Sequence, residues 1–146
     1  MAKHISNMDQ LQAALMPTMV KMVDELSERV YQTLNYFLQE YYNSYDPKSY
    51  SRQYDFLRSA VKVEPKIQGN KVTASVFIDT DYMDNYYNAT GYQVASWANQ
   101  GLHGGLNTGS NTPHVWDDTM KTTVENGELL NLALDYLRRK GFSVRN

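Results

Sequence analysis

The sequence predicts an α+β fold in which a long N-terminal helix packs on a small antiparallel β-sheet and a C-terminal helix follows. Three patterns predict this class: a helical period from Met16 to Tyr41, alternating apolar residues on both sides of Gly69-Asn70, and a second helical period that ends near Leu137. The chain has 146 residues, of which 42% are hydrophobic and 21% are charged. These values are typical of one domain with its own core, so we treat residues 1–146 as a single domain.

Composition excludes several classes of protein. The chain has no cysteine, which excludes disulfide frameworks, thiolate zinc sites and cysteine nucleophiles. Its formal net charge of −2 argues against a broad electrostatic attraction to nucleic acid. No apolar run is long enough to span a membrane, and the first residues lack the apolar segment of a signal peptide. We therefore expect a globular protein of the cell interior without a cofactor.

The first predicted element is an amphipathic helix. Its apolar residues recur every three or four positions, and charged residues such as Asp24 and Glu28 lie between them. Pro17 sits just inside the predicted start, where proline costs little, and Asp46-Pro47 predicts an end by Ser44. Residues 9–15 are expected to form a separate turn or short helix within a flexible stretch over residues 1–15.

The second predicted element is a β-hairpin whose strands meet at a two-residue turn, Gly69-Asn70. Alternation places four pairs of residues on one face of the hairpin and leaves Lys62 opposite Phe77 on the other, wet face. Proline cannot donate to a strand ladder, so Pro65 predicts an edge strand or a bulge at that position. The four predicted pairs are Ile67–Val72, Pro65–Ala74, Val63–Val76 and Val61–Ile78.

The remaining elements are shorter. Residues 54–59 are expected to form one helical turn, and a short helix is predicted around Val94 to Ala98. Residues 101–113 contain four glycines and are predicted to be a mobile surface loop. The last helix carries basic residues at its end and stops at Gly141, and residues 142–144 are expected to form a short final strand.

Two groups of residues suggest chemistry. Imidazole and carboxylate groups can hold a divalent metal, so a small metal-dependent enzyme that uses His103, His114, Asp117 and Asp118 is one alternative. The second alternative is a weak nucleic-acid-binding module, because tyrosines interleave with the basic residues of the stretch from residue 48 to residue 66. Neither group matches a familiar catalytic or ligand spacing, so the interpretation we favour assigns no catalytic and no metal-binding residue.

Tyrosine is the unusual component, with 12 of the 18 aromatic residues. Eleven of the 12 lie between Tyr31 and Tyr92, and many cluster where the long helix ends. A tyrosine buries a large apolar area while it keeps one wet end, so these residues either form a protein interface or seal the junction between helix and sheet. The interface candidates are Tyr41, Tyr45, Tyr50, Tyr54, Pro65, Tyr86, Tyr87 and Trp97.

The order of elements resembles a known family. A long helix ends in the segment from Tyr41 to Pro47, the segment from Tyr50 to Ser59 follows, and then come the hairpin, Trp97 with its glycine loop, and the last helix. This layout resembles the tail-completion, or minor tail, proteins at the head–tail joint of long-tailed phages and prophages. Pro47, Tyr54, Leu57 and Ser59 occupy the family's proline, tyrosine and leucine–serine positions.

The resemblance implies a non-enzymatic virion component that is made in the bacterial cytoplasm and assembles by protein–protein contacts. It implies neck, portal or tail-tube proteins as partners and a homo-oligomeric ring, without a membrane or nucleic acid. It also implies that the edge near Pro65 and the loop over residues 101–113 are surfaces between subunits.

Overall fold

The computed structural model describes residues 4–47, 53–83, 89–107 and 111–145 and confirms the α+β class. A long helix lies along one face of a two-stranded antiparallel hairpin, and three shorter helices follow. Among the described residues, none of the helices is long and apolar enough to cross a membrane. The elements are α1 (Met8–Asn43), β1 (Ala60–Gln68), β2 (Lys71–Ile78), α2 (Gly91–Asn99), α3 (Val115–Met120), a π-helical segment (Lys121–Glu125) and α4 (Glu128–Arg139).

Helix α1 is one continuous helix of 36 residues. It begins at Met8 because the side chain of Asn7 caps it, accepting a hydrogen bond from the Gln10 amide at 2.9 Å. The expectation that Pro17 marks the start was wrong: Pro17 lies in the third turn, and residues 9–15 belong to the same helix. The predicted end is confirmed, since Ser44 is the C-cap.

The hairpin has the predicted two-residue turn. Gln68 pairs with Lys71, and Gly69 takes the positive φ of 61° that this turn requires. The predicted pair Ile67–Val72 is also confirmed.

Past the turn, a β-bulge at Pro65 shifts the register. Two residues of β1, at positions 64 and 65, lie opposite one residue of β2, at position 74. The predicted bulge is therefore confirmed, but the predicted pairs Val63–Val76 and Val61–Ile78 were wrong. Val63 pairs with Ser75, Val61 with Phe77, Lys62 with Val76 and Ala60 with Ile78.

The bulge exchanges the two faces of β1, because side chains alternate along a strand. Lys62 now points toward α1, where its Nζ donates to Asp24 Oδ1 at 2.7 Å and to Glu28 Oε2 at 3.0 Å. The hydrogen bond to Asp24, and then that to Glu28, raise the pKa of Lys62 and outweigh the opposite effect of burial. The expectation that Lys62 lies on the wet face was therefore wrong.

The core sits against the C-terminal half of α1. Leu34, Leu38 and Phe56 are fully buried there, and Met83 and Val115 complete the cluster from the segments that follow the hairpin. The turn that carries Phe56 is the predicted one: the amide of Arg58 donates to Tyr54 O, and that of Ser59 to Phe56 O.

Helix α4 packs on α1 and ends as predicted. Arg29 of α1 pairs with Glu128 at the start of α4, and Glu25 pairs with Arg139 near its end at 3.2 Å. Gly141 has a φ of 91°, and the amides of residues 141 and 142 donate to the carbonyls of residues 138 and 137. This is a Schellman motif. The predicted final strand over residues 142–144 was wrong, since these residues form no strand.

Candidate functional site

The end of α1 is surrounded by aromatic rings that we call the aromatic junction. Tyr41 and Tyr42 are buried, and their hydroxyls donate to the carbonyls of Leu102 and Gln53, each at 2.7 Å. The junction therefore ties α1 to the segment before β1 and to the glycine loop. Its members are Tyr41, Tyr42, Tyr45, Tyr54, Phe56 and His103.

His103 is stacked inside the aromatic junction. Its ring lies 4.4 Å from that of Tyr41 and 4.9 Å from that of Tyr45, and its Nε2 lies 3.1 Å from Ser44 Oγ. Ser44 Oγ donates its proton to the carbonyl of Tyr41 at 2.7 Å. Thr112 Oγ1 lies 3.4 Å from the same ring nitrogen, and which of these groups donates depends on the tautomer of the ring. These contacts hold the glycine loop against the end of α1.

Sequence reasoning missed this Ser44–His103 contact. The two residues are 59 positions apart, and neither lies in a motif that predicts their meeting. The only signal was the tyrosine cluster itself, since an imidazole ring stacks readily on aromatic neighbours.

The residues proposed for a metal site have separate structural partners. His114 Nδ1 lies 2.9 Å from the carbonyl of Asn99, and Asp118 accepts from the backbone amide of His114 at 2.9 Å. Asp117 accepts from the side-chain amide of Asn99 at 3.2 Å, while His103 belongs to the aromatic junction. Within residues 4–47, 53–83, 89–107 and 111–145, no group of three or more His, Asp or Glu residues could hold a metal ion.

Asn99 is a second residue that sequence reasoning missed. Its Oδ1 accepts from the backbone amides of Trp116 and Asp117 at 3.0 and 2.8 Å. These amides lie in the first turn of α3 and have no partner within that helix. Asn99, the last residue of α2, thus caps α3 from outside.

The basic stretch proposed for nucleic acid is divided by the fold. Lys62 is engaged by two carboxylates of α1, whereas Arg58 and Lys66 are exposed. Lys48 and Arg52 lie outside the described residues.

The interface candidates fall in different environments. Tyr54 is 46% exposed, Tyr45 is half-buried, and Tyr41 is buried within the chain. Trp97 is half-buried beneath the glycine loop, since a Cβ on Gly105 would lie only 3.3 Å from its ring. Pro65 lies at the bulge of β1. Tyr50, Tyr86 and Tyr87 lie outside the described residues.

The face of the sheet that lies opposite α1, which we call the outer face, carries an apolar strip. The bulge places Val61 and Val63 on the same side as their partners Phe77 and Ser75. The two valines are half-buried, and Phe77 is 41% exposed. In a regular hairpin the two valines would have faced α1.

Comparison with known proteins gives one match. No curated protein and no solved structure matches the chain. Residues 7–139 match YomN, a family of phage and prophage type that is named after a Bacillus phage gene. The match spans every helix and strand described above, and the chain therefore belongs to the YomN family.

Proposed function

We propose that this chain is a non-enzymatic structural protein of the head–tail joint of a long-tailed phage, where it acts in tail completion. It is made in the bacterial cytoplasm and enters the virion through contacts with neck, portal or tail-tube proteins and with copies of itself in a ring. The phage-type family supports this setting, and the order of elements, which resembles that of tail-completion proteins, supports the position within the virion.

The observation that carries the proposal is the outer face of the sheet. Val61, Val63 and Phe77 form an apolar strip there, on the side of the sheet that faces away from α1 and the core. An apolar strip on a surface is typical of a protein interface, because burying it against a partner removes it from water.

Exposed tyrosines give further support. Tyr36 and Tyr54 are 58% and 46% exposed, and they flank the buried rings at the end of α1. Tyrosine is enriched at interfaces because it supplies a large contact area and a hydroxyl that hydrogen-bonds to the partner. Both surfaces suit a subunit that binds several neighbours in an assembly.

Deletion of the gene from the phage or prophage that encodes the chain tests the proposal. Electron microscopy of the lysate should show filled heads and separate tails that do not join, and the wild-type gene supplied in trans should restore complete particles. Mass spectrometry of purified virions should detect the chain. Complete infectious particles without the chain would refute the head–tail role.

Two variants of the outer face refine this test. Phe77→Ser removes the exposed ring and should reduce complementation, whereas Thr73→Ser is a matched control on the same face of β2. Circular dichroism should show that both variants are folded. If the two variants complement equally, the outer face is not a contact surface in the virion.

A further inference from the structure

The outer edge of β2 has the properties of a strand that accepts a neighbour. The described residues form a sheet of two strands, so among them each strand has one edge without a neighbouring strand. On β1 this edge is interrupted by the bulge and by Pro65, which are features that block further pairing. On β2 the run from Val72 to Ile78 contains no proline, no charge and no bulge.

The direction of the backbone groups along β2 follows from the ladder. The amide of Asp79 donates to the carbonyl of Ser59 at 2.7 Å, which continues the pairing of β2 with β1. In an antiparallel ladder alternate residues point their amide and carbonyl groups to opposite edges. The odd-numbered residues of β2 therefore face β1, and those at positions 72, 74, 76 and 78 face the outer edge.

We propose that the free chain forms a symmetric dimer in which the β2 strands of two copies pair antiparallel about a two-fold axis at Ser75. The resulting sheet has four strands and is centred on the two β2 strands. The proposal goes beyond the proposed function, because a closed two-fold dimer of the free chain is a different contact from that between neighbours in a ring, and it is argued from β2 alone.

Charge complementarity selects this register. With the axis at Ser75, Lys71 of each copy lies opposite Asp79 of the other. Asp79 Oδ1 accepts from the backbone amides of Asp81 and Tyr82, so the ion pair that closes each end of the new ladder uses Oδ2. An axis one residue earlier places Lys71 opposite Phe77, and an axis one residue later moves Asp79 opposite Thr73. With that later axis Lys71 would lie opposite Asp81, which is in the turn beyond the strand, so the Ser75 register is the one that pairs Lys71 with a carboxylate directly at the end of β2.

The same register matches the backbone and the faces. Val72 lies opposite Ile78 and Ala74 opposite Val76, so the residues whose backbone groups point to the outer edge meet each other. All four have half-buried side chains on the face toward α1, which keeps that face continuous across the dimer. Phe77 lies opposite Thr73 on the outer face, where it is 41% exposed in one copy.

The helices leave room for this pairing. Helix α1 runs along the hairpin. Met19 lines a groove of about 340 Å³ with Val72, Asp24 contacts Lys62, and Leu38 belongs to the core cluster against which Val76 and Ile78 pack. Two strands are about 10 Å wide, and packed helices lie about 8–10 Å apart. Two α1 helices therefore fit side by side on one face of a four-stranded sheet.

A single introduced cysteine tests the axis directly, because the chain has no cysteine of its own. In Ser75→Cys the two thiols face each other across a pair that is not hydrogen-bonded, with Cα atoms about 4.5 Å apart. A disulfide requires a separation of about 4.4–6.8 Å. Mild oxidation should therefore convert S75C into a covalent dimer that reducing agent reverses.

Thr73→Cys is the matched control on the same face of the same strand. In the proposed dimer the two residues at position 73 are offset by four residues, or about 13 Å, so T73C should stay monomeric on denaturing gels. Equal cross-linking of the two variants, or no cross-linking of S75C, would overturn the Ser75 axis.

Charge reversal tests the pairing at the ends of the strands. Lys71→Glu and Asp79→Lys should each weaken the dimer about tenfold in analytical ultracentrifugation, because each places like charges opposite one another twice. An equimolar mixture of K71E and D79K should restore the wild-type affinity, since every pair is then opposite in charge. Lys66→Glu makes the same change on β1 and should leave the affinity unaltered.

The outcomes separate this proposal from the proposed function. A wild-type chain that stays monomeric at high concentration, or a dimer that K71E does not weaken, would overturn pairing through β2 while the head–tail role stands on the deletion experiment. If the β2 edge pairs with another phage protein and not with a second copy, the free chain is monomeric, and this result also overturns the dimer. Complete phage particles without the chain would refute the head–tail role and leave the dimer intact.

Discussion

Lys62→Met removes the charge that joins the sheet to α1 while keeping most of the apolar stem. In the folded chain Lys62 Nζ lies 2.7 Å from Asp24 Oδ1 and 3.0 Å from Glu28 Oε2, and the lysine side chain is only 12% exposed. The two carboxylates are nearly half exposed, so water screens part of each interaction. We therefore expect a moderate loss of stability without loss of the fold.

The magnitude follows from these contacts. An ion pair of this exposure contributes roughly 0.2–1 kcal/mol. Lys62 makes two close pairs, and its third pair, with the exposed Glu64 at 3.9 Å, adds little. Its removal also leaves Asp24 and Glu28 as like charges one helical turn apart, which costs about 0.2–0.5 kcal/mol. The free energy of unfolding should fall by about 1–2 kcal/mol, and Tm by about 2–4 °C for each kcal/mol.

Urea denaturation followed by circular dichroism measures this change, with Lys66→Met as the control on the exposed face of β1. K66M should alter the free energy of unfolding by less than about 0.5 kcal/mol. In an Asp24→Asn, Glu28→Gln background, K62M should lose most of its effect, because the two closest partners are neutral there and only the distant Glu64 keeps its charge. If K62M is as stable as K66M, Lys62 stabilises the fold through its apolar stem and not through its charge, which would refute the ion-pair argument.

The pH dependence provides a second check on Lys62. Its pKa is raised in the folded chain, so its stabilising contribution is fully present below the unfolded value of about 10.4. Above that pH the unfolded chain loses the proton first, and the contribution falls as pH rises toward the folded pKa. The stability difference between wild type and K62M should therefore be constant from pH 7 to pH 9 and shrink above about pH 10.4.

Three further substitutions test other parts of the fold by urea denaturation. Gly91→Ala should cost about 1–3 kcal/mol, because the new Cβ would lie 2.0 Å from the backbone oxygen of Thr80; a variant as stable as wild type would contradict this close approach. Asn99→Ala removes the cap of α3 and should cost about 0.5–2 kcal/mol, whereas Gln100→Ala at the exposed neighbouring position should cost little. Tyr41→Phe should cost about 1 kcal/mol, because it removes the hydrogen bond to the loop carbonyl, and an unchanged midpoint would show that water replaces that bond.

The elements that the sequence predicts well are those with local signals. The helical period of α1, the turn at Gly69 and the stop at Gly141 each depend on residues a few positions apart, and all three are present. Pro17 gave a wrong helix start because the sequence pattern around a proline is the same whether it lies in the first or the third turn of the helix. Its cost at the later position, one missing hydrogen bond, is offset by packing along the rest of the helix.

The contacts that the sequence does not predict are long-range. Ser44 and His103 lie 59 positions apart, and Asn99 caps a helix that starts 16 residues later, so no period or motif joins them. The direction in which a side chain points after a bulge also depends on how many residues the bulge contains. Proline predicts where the ladder is interrupted, but not by how many positions the register then shifts.

The bulge at Pro65 affects both the stability of the fold and the residues that its outer face presents. One extra residue in β1 turns Lys62 toward the carboxylates of α1 and turns Val61 and Val63 to the outer face. A chain selected only for its core would have kept both valines inside, because their burial is worth more than a half-screened ion pair. Burial of the outer face in a contact with another subunit would recover this cost, which is what the proposed function predicts for the apolar strip.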